Sequence, residues 1–215
     1  LSRFALDIEP ETLHAFNERV TAMATELKVT RGRKLRTDGT VVETNIAYPR
    51  DSKLLADGVR VLSRTLKRAK AFVQETAQVS AETFRDRTRS ARNQARRIAN
   101  YARQRSKNAK AGMKKAYQRL VKVTQASIQQ AQMVLQVLRA QSSQAAARIV
   151  EVLETFIPRV EQAVDQTVRR VFLDESVPAR EKIVSLFEPH TAVIRRGKAG
   201  KETEFGRKVW LDEVD

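Results

Sequence analysis

Apolar residues recur along most of this chain at helical spacing, interrupted by one stretch of a different kind. Leu13, Phe16, Val20, Met23 and Leu27 lie three and four apart, which predicts a helix over residues 9–28. Pro10 suits its first turn, and Glu11 the positive end of its dipole. This helix is mildly acidic, and its apolar face is expected to pack on the strand that follows. Between residues 35 and 46 the chain turns to β-formers: Leu35, Thr37, Thr40, Val41, Val42, Thr44 and Ile46. A strand there puts Asp38, Thr40 and Val42 on one face, because side chains alternate. Asn45–Asp51 reads as a turn in which Pro49 holds Tyr48 extended. Asp51 reads as the N-cap of a helix opening at Ser52.

From residue 52 to 175 the helical period returns in a segment of Ala, Gln, Arg, Lys, Val and Leu. Val59, Leu62, Leu66, Ala69, Phe72, Thr76 and Val79 mark one apolar face, and Ser80-Ala81-Glu82 can restart the helix. Met113, Tyr117, Leu120, Ile128, Ala131, Leu135 and Leu138 mark a second. Ile149, Val152, Phe156, Val160, Ala163, Val168 and Val171 mark a third. The pattern predicts three or four long helices packed as a hairpin or bundle, with a break near Gly112 and a kink near Pro158. Pro178 is expected to start a short helix through Leu186, which Pro189 ends. Thr191–Ile194 reads as a strand, Arg195–Lys201 as a basic turn, and Phe205–Val214 as a second strand broken by Gly206. The two strands predict an antiparallel hairpin beside the strand of Asp38. The fold class is therefore α+β. It divides into residues 1–50 (helix and strand), 51–176 (basic helices) and 177–215 (short helix and hairpin).

Charge adds a partner to this picture. The formal net charge is +16 over 215 residues, which favours a polyanion, with nucleic acid ahead of an anionic membrane surface. No apolar run approaches the length of a membrane span, and the first residues lack the pattern of a signal peptide. The first and last residues read as cut ends of a longer chain. There is no Cys, which fits a reducing compartment and excludes disulfides and thiolate metal sites. Residues 85–122 contain fourteen Lys or Arg against a single acid, Asp86. Arg85, Arg89, Arg92, Arg96, Arg103, Lys107, Lys110 and Lys114 fall at steps of three, four or seven. On one uninterrupted helix they form a single stripe. Like charges at that spacing oppose the helix, and a bound phosphate backbone relieves them. This stripe is the expected DNA contact, in preference to a merely solvated face. Tyr101 and Tyr117 could stack on bases, although packing is the commoner use of aromatics at helical spacing.

Asp38 is the residue with catalytic promise. Asp-Gly within a strand is unusual, and two readings stay open on local grounds: a turn or bulge, or a carboxylate held on a strand for a metal ion. Glu43, an odd number of residues away, points to the other face of a regular strand. His14 is assigned no role. With two His and no Cys, no nucleophile–base pattern competes. The Gly197-Lys198-Ala199-Gly200-Lys201 run lacks P-loop spacing and reads as a hairpin turn.

Two separated blocks resemble a known family. Lys34–Ile46, with Tyr48-Pro49-Arg50-Asp51-Ser52 and Leu54-Leu55-Ala56-Asp57-Gly58, resembles the first catalytic strand of DDE-class insertion-sequence transposases. Phe187-Glu188-Pro189-His190-Thr191, with Arg195–Lys201 and Glu204–Val209, resembles the family's next block. The resemblance implies an RNase H-like fold, here a partial antiparallel sheet interrupted by a long basic helical insertion. It implies Asp38 as the first of three catalytic carboxylates that bind two ions, Mg²⁺ or Mn²⁺. The other two would lie beyond Asp215, so the chain as given is expected to bind DNA without cutting it. It further implies DNA cleavage and strand transfer, a prokaryotic cytoplasmic setting at the nucleoid, and transposon ends held by a homodimer. The alternative is a non-enzymatic basic helical nucleic-acid-binding or scaffold protein.

Overall fold

The computed structural model describes residues 9–30, 34–73, 81–104, 106–140, 143–198 and 200–214. The basic entry Arg31–Arg33, the positions Thr76, Val79 and Ser80, Arg105, Ala199 and Asp215 lie outside the described residues, as does the side chain of Lys107. Helix and strand are both present, and the three strands form an antiparallel sheet, so the α+β class holds. The chain divides into two compact units, one of residues 1–42 with 208–215, the other of residues 43–207.

The smaller unit contains α1 (Pro10–Glu26) and most of β1 (Leu35–Glu43). Pro at the first helical position and Glu11 in the first turn start α1 as the sequence predicts. Its end is tightened by Lys28, which adopts φ 53°, while Val29 N–H donates to the Ala24 carbonyl at 2.9 Å. The expected packing of its apolar face does not occur. Leu13, Phe16, Val20, Met23 and Leu27 are all exposed, and α1 has no buried residue. Among the described residues of this unit α1 is accompanied by strand segments, which present no second apolar helix face to cover it. β1 runs without interruption through Asp38-Gly39, so the pair is not a hairpin turn.

The larger unit contains four long helices: α2 (Asp51–Val73), α3 (Thr88–Ala102), α4 (Lys107–Arg139) and α5 (Gln144–Phe172). α2 and α4 each touch the other three, whereas α3 and α5 do not meet among the described residues. The core is aliphatic: Leu55, Leu62 and Leu66 of α2, Leu120, Val134 and Leu138 of α4, and Leu153 and Val160 of α5 are wholly buried. Each such side chain contributes roughly 1.5–3 kcal/mol. Gly58 permits the close approach of α2 to α5, because a Cβ there would lie 2.8 Å from a Val160 methyl.

The helix boundaries differ from the sequence expectation in instructive ways. α4 passes straight through Gly112; the break lies instead at residues 103–106. Ser106 caps the start of α4, its Oγ accepting from Ala109 N–H at 3.2 Å. Gly112 serves contact: a Cβ there would sit 2.6 Å from the Tyr101 ring. α5 continues through Pro158, which is exposed, so the lost N–H bond is on the solvent side. The expected helix from Pro178 to Leu186 is only a 3₁₀ turn, Ala179–Glu181. Beyond it Ile183–Leu186 is buried without helical structure, and Ile183 N–H donates to Gln166 Oε1 at 3.0 Å. That side-chain amide replaces the bond a helix would have supplied.

β2 (Ala192–Lys198) and β3 (Lys201–Val214) pair antiparallel, with Ala192 opposite Gly206 and Ile194 opposite Glu204. The pairing is irregular between Arg195 and Lys198, and Gly200, at φ +85°, supplies the turn. The strands are therefore longer and the turn shorter than expected, and β3 passes through Gly206 unbroken. The sheet order is β1-β3-β2, so the hairpin does lie beside the strand of Asp38.

Candidate nucleic-acid interface

The cations predicted as one stripe do not form one. The break between Ala102 and Lys107 lets α3 pack back along α4, so the chain's most basic segment is a helical hairpin. Arg92 and Arg96 face α2. Arg85 and Arg89 line a separate hollow with Asp86, Arg87 and Val123 of α4. Arg103 ends α3 and is exposed. Lys110 and Lys114 are exposed on α4, with the Lys114 ammonium 5.7 Å from the ring centre of Phe172 in α5. A like-charged stripe of that length would repel itself along one helix. The turn divides it among different faces.

What the hairpin assembles is a groove between α2 and α3, of about 340 Å³. Arg50, Lys53 and Arg60 stand on one wall, Arg92 and Arg96 on the other, with Ala56, Ala95 and Ala99 also lining it. The alanines keep the groove open because a methyl group is too small to fill it. One carboxylate lies among the five cations: Asp57, 3.1 Å from Arg60. Arg50, Lys53, Arg92 and Arg96 enter no ion pair among the described residues. Four cations around one lined depression, with no matching carboxylate, form a site for anionic oxygens.

Arg50, Lys53 and Arg60 are absent from the stripe read in the sequence. Their signal was there: Lys53, Arg60 and Lys67 recur at steps of seven on the polar side of α2, opposite Val59, Leu62 and Leu66. Only contact between α2 and α3 makes the two basic faces one site.

Asp51 holds the base of α2 in place. It opens the helix, yet its carboxylate does not act as the expected N-cap; the first carbonyl of the helix is that of Arg50. Asp51 Oδ1 accepts from Gln166 Nε2 at 2.9 Å and Oδ2 from Arg170 Nη1 at 2.7 Å, both on α5. The carboxylate is buried, and a buried charge requires such partners. Tyr117 of α4 lies near this cluster. Burial, and then the Asp51 charge, push its phenol above the usual range, while a hydrogen bond with Ser52 partly offsets them. Tyr117 is therefore tied into the core, and Tyr101 is packed against Gly112. At the start of α3, hydrogen bonds from Thr88 hold Asp86 below its ordinary value.

Asp38 is exposed on β1. Among the described residues no three His, Cys, Asp or Glu side chains gather where they could hold a metal ion. Two divalent ions need several hard oxygen ligands, and a lone exposed carboxylate does not supply them. The residues described here therefore do not by themselves fit the ion pair that the transposase resemblance implies. No described helix is long and apolar enough to cross a membrane. No family model, curated protein or solved structure matches this chain.

Proposed function

We propose that this chain grips the phosphate backbone of DNA in the groove between α2 and α3, as the DNA-holding part of a DDE-class transposase. The observation that carries the DNA contact is the set of five cations around a single carboxylate in that groove. Arginine and lysine placed there meet phosphate oxygens without reading base edges, so binding is independent of sequence. The transposase assignment is supported by the residues Lys34–Gly58 and Phe187–Val209 quoted above. In this reading the β1-β3-β2 sheet belongs to an RNase H-like domain, α2 to α5 form an insertion after its first strand, and Asp38 is the first catalytic carboxylate. Cleavage and strand transfer with Mg²⁺ or Mn²⁺ are the chemistry of that family. The exposure of Asp38, with no group of three possible metal ligands among the described residues, favours a second reading, a DNA-binding scaffold that performs no chemistry.

Salt titration of DNA binding tests the groove. The slope of log K against log salt is about −0.9 per phosphate contacted on duplex DNA. Replacing Arg92 and Arg96 with Gln should flatten it by up to about 2. The same change at Lys110 and Lys114, outside the groove, should do less. Equal flattening by both pairs would disperse the contact over the whole basic surface. Supercoiled plasmid separates the two readings of function. In the transposase reading, an extended chain with Mg²⁺ nicks DNA and loses this with Asp38→Asn while still binding. Binding without nicking in any extended chain supports the scaffold.

A further inference from the structure

A second hollow, of about 450 Å³, adjoins the groove along α2 within the same unit. It shares Arg50, Lys53, Asp57 and Arg60 with the groove, so the same cations border both. Its remaining walls are different in kind. Ile46 and Pro49 line one side, and the segment Val184–Glu188 the other. Phe187 stands there 47% exposed, although it is a large apolar residue.

That ring is held in place. Ser185 Oγ accepts from the N–H groups of Phe187 and Glu188, at 3.3 and 3.1 Å, which fixes the turn. The Phe187 ring rests on Phe156 of α5, with centroids 5.7 Å apart. Arg159 lies over the Phe156 ring and donates to the Leu186 carbonyl at 2.8 Å. An exposed aromatic whose position is set by three neighbours has lost little freedom to a contact it has yet to make. The two carboxylates of the hollow are both engaged, Asp57 with Arg60 and Glu188 with His190 at 3.1 Å.

We infer that this hollow receives an unpaired base, stacked on Phe187, from the strand whose phosphates occupy the groove. The inference rests on the groove reading above. Cationic tracks combined with aromatic platforms bind single strands, since every base has a face to stack and a backbone charge to meet. A base in an intact duplex enters a hollow only at the cost of unstacking and unpairing, whereas a single strand, an overhang or a frayed end supplies one without that cost. Asn45, at the rim, offers an amide to the base edge.

The test compares three probes by fluorescence anisotropy: a blunt duplex, the same duplex with a single-stranded overhang, and the single strand alone. Phe187→Leu keeps the apolar contact with Phe156 but removes the ring, and Phe187→Tyr keeps the ring. Phe187→Leu should weaken binding of the overhang and single-strand probes about ten-fold and leave the blunt duplex unchanged, while Phe187→Tyr binds all three as the parent does. Equal loss on all probes, or loss on none, would overturn the base site. Arg92→Gln with Arg96→Gln should weaken all three probes. If it weakens none, the groove itself fails, and that outcome is distinct from failure at Phe187.

Discussion

α1 and α2 carry the same kind of apolar stripe and meet opposite fates. Leu13, Phe16, Val20, Met23 and Leu27 of α1 are exposed, whereas Leu55, Val59, Leu62 and Leu66 of α2 are wholly or almost wholly buried. Both helices were equally legible from spacing. An apolar face states that a helix has a side to bury; it does not state what will cover it. α2 has α4 and α5 to close over it, each with its own stripe, while the unit of α1 has no second long helix among the described residues. The smaller unit is thus organised by backbone pairing, and the larger by side-chain packing.

The largest expected effect tests that contrast directly. Leu62→Ala should lower the unfolding free energy by about 2–5 kcal/mol, since it empties a closed core. Phe16→Ala should change it by less than about 0.5 kcal/mol. Denaturant titration of both variants decides this, and an equal loss for Phe16→Ala would mean that the α1 face is covered after all. Next comes Asp51→Ala, which leaves Gln166 and Arg170 without their shared acceptor. Because the Arg170 side chain is 45% exposed, water replaces part of that partner. The expected cost is therefore about 1–3 kcal/mol, below that of a fully buried pair. Glu18→Gln, at an exposed carboxylate beside His14 in α1, should cost nothing measurable by the same titration.

Glycines sharpen the comparison further. Gly58→Ala would press a methyl onto buried Val160, so a loss of about 1–3 kcal/mol is expected. At Gly39 a methyl would meet only the flexible Lys208 chain and the Trp210 ring, each 3.3 Å away. Gly39→Ala should be neutral or stabilising by up to about 1 kcal/mol, because it restricts the unfolded chain. Melting temperatures of the two variants should move apart. The smallest effect is pH-dependent. A phenol whose folded pKa is raised gives stability that is full below its unfolded pKa, near 10. That stability is lost as pH rises through the folded value. Tyr117→Phe should flatten the decline of stability in alkaline solution without altering its slope near neutrality.

Several elements were plain in the sequence because one local signal governs them. The start of α1 follows from Pro10, the strand of Asp38 from its β-formers, and the buried faces of α2, α4 and α5 from their spacing. The site was only half legible. Arg92 and Arg96 stand out by charge, but their partners lie more than thirty residues earlier, Arg50 just before α2 and Lys53 and Arg60 on its polar side. The turn at residues 103–106 had weaker signals than Gly112, since Ser106 acts as a cap only when its neighbours stop the helix before it. Ile183–Leu186 is apolar and reads as helical; the amide of Gln166, some seventeen residues back on α5, bonds the Ile183 backbone in place of a helical partner. No window on the sequence contains both ends of those contacts.

The way α3 is attached has a consequence for exchange with solvent. Among the described residues it touches α2 and α4 but not α5, and of its own residues only Ala91 and Ile98 are buried. Its amides should therefore exchange through a local opening well below the global unfolding energy, while those of α2 and α4 wait for the whole bundle. Yet α3 carries Arg92 and Arg96, one wall of the groove. A ligand that bridges both walls binds only the closed form, so by linkage it must slow α3 exchange in proportion to its affinity. The most loosely held helix of the bundle is thus also the one whose protection reports directly on occupancy of the groove.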